Sequence, residues 1–216
     1  MLFQRDEGEL ETARRAGLVE DARQVMFHGL ETDPQMCRDV AIRFAFRDRP
    51  DTTVVGLKPA DVAAFFGITP WPSGIARFDL GGRALGIIPA PGHQAAAIMV
   101  YDPRLKILLS GDTLYPGRLY VPVNFLADNR ASVDRVAAFA AKHPIRAILG
   151  AHIEMTRTPG HDYPHEASTH ANEHPLELPD QAIRELQTGM KAPLDTPGTR
   201  QVHDYFIIVP VPARAE

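Results

Sequence analysis

Between Leu85 and Thr113 three short apolar runs are separated by sharp breaks, and adjacent strands are the simplest structure that accommodates them. The first run, Leu85-Gly86-Ile87-Ile88-Pro89-Ala90, stops at Pro91-Gly92-His93. The second runs from Ala95 to Tyr101 and stops at Asp102-Pro103. The third, Lys106-Ile107-Leu108-Leu109-Ser110, stops at Gly111-Asp112-Thr113. A later run, Ile145 to Leu149, ends in the same way at Gly150-Ala151-His152. His93, Asp112 and His152 each follow a strand and lie close to a glycine that lets the backbone turn. Polar side chains on such turns are presented at the edge of a sheet, where sites form.

The flanking sequence continues the mixture. Pro59 suits the first turn of a helix carrying Val62, Ala63, Phe65 and Phe66, and Gly67 can end it. Thr52 to Gly56 reads as a short buried strand, and Ala76–Leu80 with Arg83–Ile88 as a hairpin through Gly81-Gly82. Leu114 to Leu126, aromatic and proline-rich, is expected to be loop. Asp128-Asn129 should cap a helix whose apolar face is Val133, Val136, Ala137 and Ala140. Ile153 to Leu176 reads as a long loop, and a helix from near Pro179 carries Ile183, Leu186 and Met190. Tyr205 to Val209 is a last strand, ended by Pro210.

Residues 1–45 differ from the rest. Leu10, Ala13, Leu18, Ala22, Val25 and Met26 recur at roughly helical spacing among charges, so one or two helices are expected ahead of a domain covering 46–216. The overall class is α/β (α+β), a mixed sheet with helices on its outer faces.

Totals narrow the partners. With 216 residues the chain can bury one sizeable core. A net charge of −4 implies no nucleic acid. Cys37 is the only cysteine, so no internal disulfide can form and a reducing compartment is compatible. The acidic start, Met1-Leu2-Phe3-Gln4-Arg5-Asp6-Glu7, lacks the apolar core of a signal peptide, and no run of about 18 apolar residues spans a membrane. The expectation is a cytoplasmic protein.

Imidazole and carboxylate are good ligands for zinc or iron, and three of them leave a position for water. Water on such an ion can ionise near neutral pH and attack an ester, amide or thioester carbonyl. Alone, each of His93, Asp112 and His152 is an ordinary turn or surface residue. Their order and context give them weight together.

Pro91-Gly92-His93, Ser110-Gly111-Asp112-Thr113-Leu114-Tyr115 and Gly150-Ala151-His152 resemble the later metal motifs of the metallo-β-lactamase superfamily. The resemblance extends from about Phe46 to Pro210. It implies an αββα sandwich with its first sheet incomplete, and a hydrolase acting on a small-molecule substrate through one or two metal ions. Zinc is the usual ion, with iron or no metal as the alternatives. His93 would bind the first metal, Asp112 would bridge both and serve catalysis, and His152 would bind the second. The family's His-x-His-x-Asp-His motif is absent, and His28 is the only histidine before His93. Asp33, Cys37 and Asp39 stand near its expected place. Two readings fit: a truncated or altered hydrolase, or a catalytically inactive scaffold that binds a small ligand or a protein. A chain short of half a sheet would also expose apolar surface, which favours homo-oligomers.

Tyr115, Arg118 and Tyr120 follow the aspartate and are candidate substrate-binding residues, with Arg118 holding an anionic group; loop packing is the plainer reading. Glu154 could orient His152, or be a structural carboxylate. His161, His165, His170 and His174 are irregularly spaced and read as loop histidines.

Overall fold

A computed structural model describes residues 58–165 and 167–214. The expected N-terminal helices, the strand at Thr52–Gly56 and the upstream donors His28, Asp33, Cys37 and Asp39 lie outside the described residues.

The first helix, α1 (Pro59–Phe66), has proline in its first turn and ends at Gly67, whose φ of 66° is the left-handed conformation that suits glycine. Val62 and Phe66 face inward, whereas Phe65 is exposed. The hairpin follows as β1 (Ala76–Asp79) and β2 (Ala84–Pro89), antiparallel. The Asp79 carboxylate accepts hydrogen bonds from the backbone N–H groups of Gly81 and Gly82 at 3.0 and 2.9 Å, closing the turn. The apolar runs become β2, β3 (Ile98–Asp102) and β4 (Ile107–Gly111), each antiparallel to the next.

Two expectations fail between Leu114 and Leu126. Arg118–Pro122 is a strand, β5, followed by a single 3-10 turn at Val123–Phe125. Helix α2 (Leu126–Ala140) then starts before Asp128-Asn129 and has no side-chain cap. Asn129 is instead buried within the helix, where it packs against the Pro-Gly-His turn. Beyond α2 come β6 (Ala147–Gly150), the short β7 (Glu177–Leu178), α3 (Gln181–Gly189), the short β8 (Gln201–Val202) and β9 (Ile207–Val211). Pro210 lies inside β9 rather than ending it. β8 pairs with β9 only at Ile207 and Ile208, so the missing N–H at Pro210 costs no bond on that side.

Among the described residues the strands make two sheets, in the orders β1-β2-β3-β4-β6-β7 and β5-β9-β8. This is the expected mixed α/β fold. Side chains alternate across a strand, so Ile88, Met99, Tyr101, Leu108, Ile148 and Leu178 share one face of the larger sheet. They merge with Val133, Val136 and Phe139 of α2, Ile183 and Leu186 of α3, and Leu119, Val121, Phe206 and Ile208 of the smaller sheet in one core.

Strand direction places the rim. β2 and β4 are both antiparallel to β3, so they run the same way, and β6 is parallel to β4. All three therefore end at one edge of the larger sheet, with His93, Asp112 and His152 just beyond them.

Candidate functional site

The parallel pairing of β4 and β6 aligns Gly111 with Gly150, and the Ala151 N–H donates to the Gly111 carbonyl at 3.1 Å. The Ser110 hydroxyl donates to the Leu114 carbonyl at 2.5 Å and lies 3.3 Å from the Leu149 carbonyl, fastening the turn after β4 to the end of β6. Gly111 has φ of 54°, which lets the chain reverse into Asp112. The two ends meet: His152 Nε2 stands 3.0 Å from Asp112 Oδ1. Both side chains keep close to half of their surface open to solvent, at 46% and 41%.

Helix α2 holds the third turn. The Ser132 hydroxyl donates to the Pro91 carbonyl at 2.7 Å, and a Cβ on Gly92 would lie 2.8 Å from the Asn129 Cα. Only glycine permits that approach between turn and helix. His93 is half-buried, with Nδ1 3.1 Å from the Tyr120 carbonyl of β5. A proton on Nδ1 satisfies that carbonyl and leaves Nε2 with its lone pair, the orientation used by metal-binding histidines.

The hydrogen bond from His152 holds the Asp112 carboxyl below the usual carboxylate range. Burial opposes it, while the charges of His93, His152 and Arg214 act in the same direction as the hydrogen bond. The three expected donors thus lie around one rim, with two in direct contact. Among the described residues, no three His, Cys, Asp or Glu side chains are gathered closely enough to hold a metal ion. The donor types fit zinc or iron; the described set by itself does not close around one.

Of the three candidate substrate residues, two point inward. Tyr115 is buried, donates its hydroxyl hydrogen bond to the Arg118 carbonyl, and packs edge-on against His152 at 5.1 Å between ring centres. Burial pushes its hydroxyl pKa up. The Arg118 side chain is 5% exposed and its guanidinium is engaged on three sides. It reaches Asp162 at 2.6 Å, Glu154 at 3.3 Å and the Tyr163 carbonyl. Glu154 also accepts from the Arg118 N–H at 2.7 Å, so this carboxylate is committed to Arg118 on both its backbone and its side chain. Tyr120 is half-buried, with its hydroxyl 3.4 Å from His165 Nε2. Among the other loop histidines, His170 pairs with Glu173 at 3.1 Å and stacks on Tyr163.

Arg214 was not anticipated. Its N–H donates to Asn124 Oδ1 at 3.1 Å, and Asn124 Nδ2 donates back to its carbonyl at 3.0 Å. Its guanidinium lies 3.4 Å from the His93 carbonyl. In the sequence it is a charge between two alanines, and no local pattern connects it to Asn124.

Comparison with known proteins adds three findings. The family model described as "Metallo-beta-lactamase superfamily" matches residues 21–183. Acyl-coenzyme A thioesterase MBLAC2 of Gallus gallus is 31% identical over 78 residues, covering 35% of this chain and 28% of that protein. The Homo sapiens protein of the same name is 30% identical over 76 residues, covering 34% and 27%. The matched segment thus spans little more than a quarter of these relatives. A metallo-beta-lactamase from Pontibacter korlensis aligns with a TM-score of 0.35 at 17% identity, covering 55% of this chain and 46% of that one. A metallo-beta-lactamase family protein from Thermus thermophilus aligns with a TM-score of 0.36 at 19% identity, covering 89% and 48%.

Proposed function

This chain belongs to the metallo-beta-lactamase superfamily, and on that premise we propose that it is a metal-dependent hydrolase cleaving an ester, amide or acyl thioester of a small molecule. The observation that carries the reading is the convergence of three strand ends on one rim, with Asp112 and His152 in contact at 3.0 Å. The thioester option draws on the acyl-coenzyme A thioesterases that part of the chain resembles.

In this reading His93, Asp112 and His152 would be donors to the ion, although these three do not by themselves close around one. A bound zinc would provide a Lewis acid and a water that ionises near neutral pH. The residues do the remainder. Asp112 is held anionic by the His152 hydrogen bond, which suits it to a ligand position. The Tyr120 carbonyl fixes the His93 ring. Tyr115, edge-on to His152, limits where that imidazole can turn. Tyr120 is the candidate substrate residue with part of its side chain open, whereas Tyr115 and Arg118 support the rim from below.

The rival reading, an inactive scaffold binding a small ligand or protein, is favoured by one observation: no closed set of metal donors occurs among the described residues. Elemental analysis of the purified full chain separates the two. About one equivalent or more of zinc or iron, with metal-dependent turnover of an ester or acyl thioester, supports the hydrolase. No metal and no turnover after zinc addition would leave the scaffold.

A further inference from the structure

We propose that Arg214 is an anion-recognising residue of this rim, selecting substrates that carry a carboxylate or phosphate beside the bond to be cut. The proposal deepens the hydrolase reading and rests on it for its purpose.

Three observations lead there. First, the backbone of Arg214 is anchored. Asn124, in the turn between β5 and α2, bonds both its N–H and its carbonyl, at 3.1 and 3.0 Å. A solvated surface charge has no need of such a clamp, which fixes the direction in which the side chain leaves. Second, that direction leads to the rim. The guanidinium stands 3.4 Å from the His93 carbonyl. Third, the donors are largely uncommitted. A guanidinium has five N–H groups, and one here faces a carbonyl. The ion pairs formed by arginines among the described residues involve Arg77, Arg83, Arg118, Arg184 and Arg200, not Arg214.

An exposed guanidinium with its fork open matches the two oxygens of a carboxylate or phosphate, which a neutral group cannot replace. Arg118, the arginine that the sequence offers for this task, is closed off by Asp162, Glu154 and the Tyr163 carbonyl. Between these two arginines, Arg214 is therefore the one with room for a ligand anion.

The test is calorimetric titration of the full chain with succinate, with inorganic phosphate, and with neutral succinamide. Parent, Arg214→Gln and Arg214→Lys are compared in metal-stripped and in zinc-replete buffer. The expected result is anion binding by the parent, weakened about tenfold or more in Arg214→Gln in at least one buffer, partly restored in Arg214→Lys, with succinamide indifferent to the substitution. Preference for succinate or for phosphate identifies the group. Anion binding that is undetectable in the parent, or changes less than about tenfold in Arg214→Gln in both buffers, overturns the proposal. Turnover of a neutral ester by the parent tests the hydrolase reading separately, since no anion is involved.

Discussion

Asp112 and His152 touch at 3.0 Å because the strands that precede them are parallel neighbours ending level with one another. The contact depends on the register of the sheet more than on either residue's local conformation. Asp112→Asn keeps the shape and removes the charge. Changes to residues that merely support metal ligands cost roughly 10–100-fold in affinity or activity. Loss of the Asp112 charge should exceed that range in zinc affinity and in hydrolysis, measured by competition with a chelator dye and by initial rates. Parent-like values in zinc-replete buffer would remove Asp112 from the centre.

Gly150 gives a separate test of the same register. A Cβ there would lie 2.3 Å from the Tyr115 Cβ and 2.5 Å from the Leu114 carbonyl oxygen, and neither atom is the end of a flexible chain. Gly150→Ala should lower stability by about 1–3 kcal/mol through overpacking, read from urea midpoints. Gly81, with φ of 88° and open space around it, meets no such obstacle. Gly81→Ala should show backbone strain alone, of order 1 kcal/mol.

Arg118 is 5% exposed and pairs with Asp162, itself 15% exposed. Removing Arg118 leaves Glu154 and the Tyr163 carbonyl without this donor, whereas Asp162 keeps Arg200 at 2.8 Å. Arg118→Met should therefore cost about 1–3 kcal/mol by denaturant titration. A loss below about 1 kcal/mol would place the pair with ordinary surface bridges. Acid should weaken the same cluster. Burial pushes the Asp162 carboxyl up, but hydrogen bonds and charges from Arg118 and Arg200 outweigh it and hold it low. Its contribution is present above the unfolded carboxylate value of about 3.9 and is lost as pH falls through the lower folded value.

His203 should make stability sensitive to milder acid. Its Nε2 is buried without a hydrogen-bond partner, and burial lowers its pKa despite Glu185, 3.4 Å from Nδ1, and the nearby Asp204. A lowered histidine contributes stability above its unfolded value, about 6.5, that is lost as pH falls toward the folded value. His203→Gln should flatten the stability profile below about pH 6.5 relative to the parent. An identical slope in both proteins would exclude His203 as its source.

What the sequence made legible was punctuation. Gly81-Gly82, Pro91-Gly92 and Asp102-Pro103 mark turns whatever surrounds them, so the hairpin and the three strands were readable one by one. β5 was not, because prolines and glycine flank it and because it takes its hydrogen bonds from β9, far along the chain. The sequence leaves Arg118 between anion binding and loop packing for the same reason. The carboxylates that permit its burial, Glu154 and Asp162, come from a loop whose path no local pattern describes. Arg214 acquires its place through Asn124 and the His93 carbonyl, both distant in sequence. Residues placed by their own turns could be found in advance, and residues placed by distant partners could not.

The parallel join of β4 to β6 has a kinetic meaning as well. Two parallel strands cannot be linked by a tight turn, and here the connection includes β5 and the whole of α2. His152 cannot reach Asp112 until that excursion has folded back, so the pair should be absent from early, locally ordered species and should appear only with the finished sheet. The chemistry of the rim would then report on completion of the fold, each molecule gaining its reactive edge at the moment the crossover closes.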